Sequence, residues 1–114
     1  MAAIKTGDSG TQLAAVLTDS EGNPADISGA DIRVLMRRRG DGFLIEGEAV
    51  NAQTSPETFG NVYYIWQESD TVTDNVGLYR VEWEVTFELG EVQTYPSNGW
   101  NYVAIVRDND EEAS

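Results

Sequence analysis

Alternating apolar and polar side chains mark the stretch from Gly77 to Glu88, GLYRVEWEVTFE. Every odd position from Tyr79 to Phe87 is large and apolar, whereas the even positions between them are charged or polar. Successive side chains of a strand point to opposite faces, so this alternation predicts a strand with one face in a core and the other in water. On a helix, the same side chains would spread around the whole circumference. We therefore expect residues 77–88 to form the central strand of the fold.

Shorter segments of similar pattern precede and follow the central strand, and turn residues separate them. The sequence Gly40-Asp41-Gly42, for example, predicts a tight turn that joins two strands as a hairpin. Short strands with a turn signal every ~8–12 residues are typical of an antiparallel sandwich or barrel. We predict an all-β fold, a single Ig-like antiparallel β-sandwich of about seven to eight strands, over residues 1–107, followed by an acidic, flexible tail at 108–114. The other strands are predicted at 2–7, 11–18, 31–39, 43–52, 61–68, 91–96 and 98–107.

The aromatic side chains are expected to lie mostly in the core, because each can bury ~200 Å² of largely apolar surface. Two of them, Tyr63 and Tyr95, are the ones that we expect to be exposed, where they could contact a partner. In the last strand, one shared face is predicted for Trp100, Tyr102, Ala104 and Val106.

The composition excludes several classes of chemistry. With 114 residues and 40% hydrophobic content, the chain is expected to form one domain with a real core. It contains no cysteine and no histidine, so disulfides, thiolate metal sites and Ser-His or Cys-His catalysis are excluded. No apolar run approaches the ~20 residues of a membrane helix, and the first ten residues do not have the pattern of a signal peptide.

The charge narrows the range of partners. Twenty acidic residues against seven basic ones give a net charge of −13. Binding to nucleic acid or to an anionic membrane depends on positive charge, so neither is predicted. Against this background, the consecutive Arg37, Arg38 and Arg39 stand out as a candidate partner-binding site, because the planar fork of arginine suits carboxylates on a neighbouring protein. The alternative interpretation is a solvated strand end that balances local carboxylates.

A group of oxygen-bearing residues crowds one turn, at Asp19, Glu21, Asn23 and Asp26. Calcium takes about six to eight oxygen ligands and often finds them in such loops. However, Pro24 interrupts the spacing of an EF-hand-type loop, and Asx turns explain the same residues without a metal. Asp19, Glu21 and Asp26 are thus calcium candidates at most, and no other metal or cofactor is predicted.

Two carboxylates, Glu82 and Glu84, lie on one face of the predicted central strand, with Cβ atoms ~7 Å apart. Paired carboxylates can hydrolyse glycosides, but neighbouring carboxylates are also routine on an acidic, solvated face. We favour the solvated face. Since histidine and cysteine are absent as well, we predict that the protein is not an enzyme.

Several turn and strand motifs follow one another in a recognisable order. A D-x-x-G-x-P-x-D-I-x-G-A turn is followed by an arginine-rich strand end, an aromatic strand, a G-x-Y-x-x-E-W-E-V-x-F strand and a closing V-Q-T-Y-P. In this order and over nearly its whole length, the chain resembles the small β-sandwich domain at the N-terminal end of phage baseplate upper proteins, which recurs in tailed-phage structural proteins. The matching positions are Asp19, Gly22, Pro24, Asp26, Ile27, Gly29, Ala30, 36–39, Tyr64, Trp66, Gly77, Tyr79, Glu82, Trp83, Glu84, Val85, Phe87, 92–96 and Trp100.

The resemblance implies a structural protein of a tailed virus particle, located in the tail or baseplate, the neck or the capsid surface. It implies a role in assembly, with no catalytic residues to carry over. The expected partners are other virion structural proteins and further copies of the same chain. The alternative function is a carbohydrate- or receptor-binding β-sandwich module on a virion or cell surface, which would bind through an exposed aromatic side chain.

Overall fold

The computed structural model describes residues 2–95 and 101–108, which form eight strands and three single-turn 3-10 helices. The predicted all-β class is confirmed. The predicted tail lies, except for its first residue, outside the described ranges. The elements are β1 (Ala2–Lys5), β2 (Gln12–Val16), β3 (Asp31–Arg38), β4 (Leu44–Asn51), β5 (Asn61–Ile65), β6 (Gly77–Thr86), β7 (Val92–Tyr95), β8 (Tyr102–Val106), and 3-10 helices at Pro56–Thr58, Glu68–Asp70 and Thr73–Asn75.

The described strands belong to one sheet, which is nearly closed into a barrel and compatible with a β-sandwich. Its order is β1-β8-β6-β3-β4-β5-β2, and β7 pairs with β6 beside the end of β8. Strand β4 joins the two layers, because residues 44–49 pair with β3 and residues 50–51 pair with β5. One pairing departs from the antiparallel prediction: β1 runs parallel to β8.

Strand β6 occupies the centre, as its alternation predicts. One edge of β6 pairs with β3 along 79–86, and the other pairs first with β8 and then with β7. Its four inward-facing apolar side chains, Tyr79, Val81, Trp83 and Val85, are all buried in one continuous core. The inward side chains of β3 pack beside those of β6, because Val34 lies opposite Trp83 in the register.

A buried polar network closes one end of the barrel. The hydroxyl of Tyr64 donates a 2.5 Å hydrogen bond to the carboxylate of Asp70, which also accepts the backbone N–H of Gln67 at 2.9 Å. Asn75 donates to the backbone oxygen of Asp70, and the Tyr79 hydroxyl donates to that of Asn75. These bonds satisfy polar atoms that would otherwise be buried without partners, and they fasten the two short helices between β5 and β6 to the core. Burial raises the pKa of Tyr64, so its hydroxyl stays protonated and remains a donor.

Tyr102, Ala104 and Val106 share one face of β8, as predicted, and this face is the outer one. Val103 and Ile105 are buried, whereas Tyr102 and Val106 are exposed by 41% and 38%. Both alternate sets of this strand are apolar, so its own sequence cannot distinguish them. The register with β6 decides which set is buried, because Val103 lies opposite the buried Tyr79. Trp100, the fourth residue of the predicted face, lies outside the described residues.

Gly60 provides a test of this packing. Its φ of +78° is a left-handed conformation, and a Cβ atom at this position would clash with the backbone oxygen of Leu17. Gly90 has a similar φ of +88° but open space around it. We expect Gly90→Ala to lower the free energy of unfolding by about 1 kcal/mol through backbone strain alone. Gly60→Ala should lower it by at least about 2 kcal/mol more, because the added methyl group also displaces Leu17.

Urea unfolding of both variants measures the difference. Equal losses of stability in the two alanine variants would contradict the close approach of the Gly60 and Leu17 backbones.

Candidate functional site: an arginine-lined cleft on the outer sheet face

The register of three strands brings distant cationic and aromatic residues together. Arg37 of β3 lies opposite Arg80 of β6, and Arg80 lies opposite Tyr102 of β8. Residues paired across a sheet point to the same face, so these side chains form one row on the face that points away from the core, here called the outer face. Arg38 and Arg39 follow at the end of β3, and the five residues line a cleft of about 270 Å³.

Arg38 has a structural role within this cleft. Its guanidinium donates two hydrogen bonds to the carboxylate of Asp41, at 3.0 and 2.7 Å, and one each to the backbone oxygens of Asp74 and Val76, at 2.8 and 3.4 Å. It also lies over the ring of Phe43, 4.9 Å from the ring centre. Arg38 therefore ties the β3–β4 turn to the segment before β6, and its guanidinium is not available for a partner.

The side chains of Arg37 and Arg39 are exposed, and neither has an ion-pair partner among the described residues. Arg80 forms an ion pair with Glu82 at 2.6 Å, yet its side chain remains 59% exposed. The cleft thus presents the two unpaired guanidinium groups of Arg37 and Arg39. A third, that of Arg80, is paired with Glu82 but is exposed enough to contact a second carboxylate. Such a group can bind a carboxylate or another oxyanion through paired N–H donors.

The predicted arginine cluster is therefore found at a cleft, but it divides by role. The prediction from the sequence did not include Arg80 and Tyr102, which come from two other strands. The alternation along the central strand could have placed Arg80 on the outer face, since Arg80 occupies one of its polar positions. Tyr102 had none, because its outward direction depends on the register of β8.

The predicted aromatic contacts, Tyr63 and Tyr95, do not line the cleft. Tyr63 is half-buried on the outer side of β5, opposite Val50 of β4. Tyr95 is half-buried against the core, where its ring meets the edge of Phe87 at a centroid distance of 6.4 Å. The more exposed aromatic rings are those of Tyr102 and Phe43, both at 41%.

Acidic side chains dominate the middle and the other end of the same outer face. Arg33 lies between Glu84 of β6 and Glu48 of β4 in the register, and it forms an ion pair with Glu46. Glu48 and Glu84 have no cationic partner in the ion pairs of the described chain. Glu82 faces the cleft side and holds Arg80. The two carboxylates of the central strand, Glu82 and Glu84, therefore lie on an outer face with neighbouring charges, and both residues are half-buried.

The first calcium candidate, Asp19, is engaged in its own turn. One carboxylate oxygen accepts the backbone N–H groups of Glu21 and Asn23, each at 2.9 Å, which is an Asx turn. The carboxylate of Glu21 is exposed and is not drawn into this turn.

The second candidate, Asp26, is held by hydrogen bonds as well. It accepts the hydroxyl and the backbone N–H of Ser28 and the side-chain amide of Gln53. These bonds, chiefly those from Ser28, lower the pKa of Asp26. Within the described residues, no group of three or more acidic side chains is arranged to hold a metal ion. The structure thus does not gather Asp19, Glu21 and Asp26 into a calcium site.

The fold and the cleft define an all-β domain with an arginine-lined surface site. No protein-family model, curated protein or solved structure matches the chain. The resemblance to the baseplate domain therefore stays a prediction. Among the described residues, no helix has the length and apolar character needed to cross a membrane.

The Arg38–Asp41 pair generates a pH prediction. Hydrogen bonds from Arg38, and next from the Phe43 backbone, lower the pKa of Asp41 from 3.8 to about 2. A carboxyl whose pKa is lower in the folded state stabilises the fold above its unfolded pKa. We therefore expect its contribution to be complete above pH 3.8 and to be lost as the pH falls through about 2. An NMR titration of the Asp41 carboxyl carbon should show this midpoint, and in Arg38→Ser the midpoint should rise. A midpoint near 3.8 in the unaltered chain would contradict the geometry of the pair.

The different roles of neighbouring arginines generate a second prediction. Arg38→Ser should lower the melting temperature by several degrees, because it removes four hydrogen bonds and the contact with Phe43. Arg37→Ser is the matched control and should leave the melting temperature nearly unchanged, because its side chain is exposed. Thermal unfolding followed by circular dichroism compares the two. Similar losses in both variants would show that the arginines are not divided in this way.

Proposed function

We propose that the chain is a structural subunit of a virus particle that assembles by burying its arginine-lined cleft against a carboxylate-rich surface of a neighbouring protein. The observation that supports this proposal is the cleft itself. Four of the six arginines of a chain with net charge −13 line one small surface, and two of them have no partner within the described structure.

The local charge of the cleft can act despite the acidity of the whole chain. At physiological ionic strength, charges are screened beyond about 8 Å, so a carboxylate at contact distance responds chiefly to the nearest guanidinium groups. The acidic remainder repels a carboxylate-rich surface that approaches the chain elsewhere than at the cleft. An isolated surface pair contributes little, so a stable contact needs several pairs and some apolar burial together. The exposed ring of Tyr102 beside Arg80 provides apolar surface at the same place.

The location in a particle rests on the resemblance of the turn and strand motifs to the baseplate domain. That resemblance supports a place in the tail, baseplate, neck or capsid surface without choosing among them. The arginine-lined cleft supports the mode of assembly and is independent of the location.

A binding module for an anionic glycan is the second candidate. Its support is the combination of Tyr102, which can stack on a sugar ring, with Arg37 and Arg80, which can bind a sugar carboxylate. In this case the cleft would bind a sugar acid in place of a protein carboxylate.

The copy number of the chain in purified particles tests the proposal. We expect quantitative mass spectrometry with isotope-labelled peptides to find a fixed number of copies per particle, set by the symmetry of the particle. The double variant Arg37→Ser, Arg39→Ser should fold normally and be incorporated less. Its control is Lys5→Ser, which removes one exposed cation from β1, away from the cleft.

The chain's absence from the particles would overturn the structural role. A signal on a glycan array that disappears in the same double variant would favour the anionic glycan module.

A further inference from the structure

The outer face of β3, β4 and β6 has opposite charge at its two ends. At one end lie the unpaired Arg37 and the exposed Arg80. Toward the other end lie Glu84 and Glu48 on either side of Arg33, whose guanidinium is paired with Glu46. Arg80 and Glu84 are four residues apart on one strand, a separation of ~13 Å. The centre of this face, midway between the ends, is the row formed by Glu82, Leu35 and Glu46. A surface of this kind is complementary to a copy of itself turned end over end.

We propose that a second copy of this chain docks on the outer face. The two copies are related by a two-fold axis that lies between them, runs along the central row and passes over Leu35. This inference rests on the proposed function and names the partner of the cleft. Such an axis exchanges positions that are equally far from the central row, so Arg80 of each copy faces Glu84 of the other. Both ionic contacts form in one closed, isologous dimer, which is the commonest symmetry of soluble oligomers.

The charges that lie on the axis do not oppose this arrangement. Glu82 is already paired with Arg80, and Glu46 is paired with Arg33, so neither meets its symmetry mate as an isolated carboxylate. Leu35 lies between them and is only half-buried in the single chain. The central row therefore combines apolar contact at the axis with two local ion pairs.

Apolar surface on the flank of β6 supports the same docking. Strands β7 and β8 follow one another along one edge of β6, so the two-fold axis places β7 of one copy over β8 of the other. Val92 of β7 is 55% exposed and lies on the outer face, opposite Thr86. In the dimer, Val92 would cover the half-buried Leu78 and Ala104 of the second copy. Arg37 would lie over Arg33 of the second copy, and the carboxylates of Glu84 and Glu48 on both sides of Arg33 would compensate the two guanidinium groups.

Charge reversal tests this dimer with unusual directness, because each variant changes both of its contacts. In Arg80→Glu alone, position 80 of each copy faces Glu84, and both contacts become repulsive. In Glu84→Arg alone, both contacts are repulsive between cations. When the two variants are mixed, each contact again joins one carboxylate and one guanidinium.

We expect sedimentation velocity of the full chain to show a concentration-dependent dimer and no larger species. Each single variant should raise the dimer dissociation constant by at least about tenfold, and the equimolar mixture should restore the dimer. Lys5→Glu and Glu21→Arg are the matched controls, since they make the same changes in net charge at exposed sites on β1 and in the β2–β3 loop. Circular dichroism checks the fold of each variant. If a reversal prevents folding, Arg80→Gln and Glu84→Gln replace it, and each should still weaken the dimer.

A monomer at all accessible concentrations, a dimer that survives both single variants, or a mixture that stays monomeric would overturn the inference. Open-ended assembly beyond the dimer would overturn the closed two-fold arrangement. These outcomes are distinguishable from failure of the proposed function. A monomeric chain that is still incorporated into particles through Arg37 and Arg39 refutes only the dimer, whereas a dimer absent from every particle refutes only the virion role.

Discussion

The structure depends on the pairing of β6 with strands on both of its edges. A strand that is paired on both sides places its apolar row in the core with its backbone groups hydrogen-bonded to its neighbours. Because β3 and β8 pair with β6 in a single register, the inner face of the sheet carries Val34, Trp83 and Val103, and the outer face carries the charges. The core and the candidate site therefore lie on opposite faces of the same sheet, and the same backbone hydrogen bonds position both.

That coupling explains why three consecutive arginines have three environments. Alternation along β3 points Arg37 to the outer face. The turn after β3 brings Asp41 to Arg38, so the second arginine becomes part of the hairpin. Arg39 follows the last residue of β3 and lies in the turn, exposed to solvent. A run of identical residues at the end of a strand is thus divided between one structural contact and two exposed side chains.

Among the described residues, one buried side-chain polar atom has no hydrogen-bond partner. The indole N–H of Trp83 is buried and has no hydrogen bond within the described chain, which costs about 1–3 kcal/mol. Burying the large ring at the centre of the core can offset such a cost. By contrast, Tyr64 and Tyr79 lie at the end of the barrel, where Asp70 and the Asn75 backbone accept their hydroxyl groups. Position in the sheet therefore decides which of the aromatic polar atoms find a partner.

Local patterns in the sequence determined the all-β class, the central strand, the β3–β4 hairpin and the outward direction of Arg37, because alternation and turn chemistry act between near neighbours. The tertiary structure alone decided the parallel pairing of β1 with β8, the exposure of Tyr102 and the addition of Arg80 and Tyr102 to the cleft. Each of these depends on register between strands that are distant in the chain. Strand β8 is apolar on both faces, so only its pairing with β6 could select the buried one.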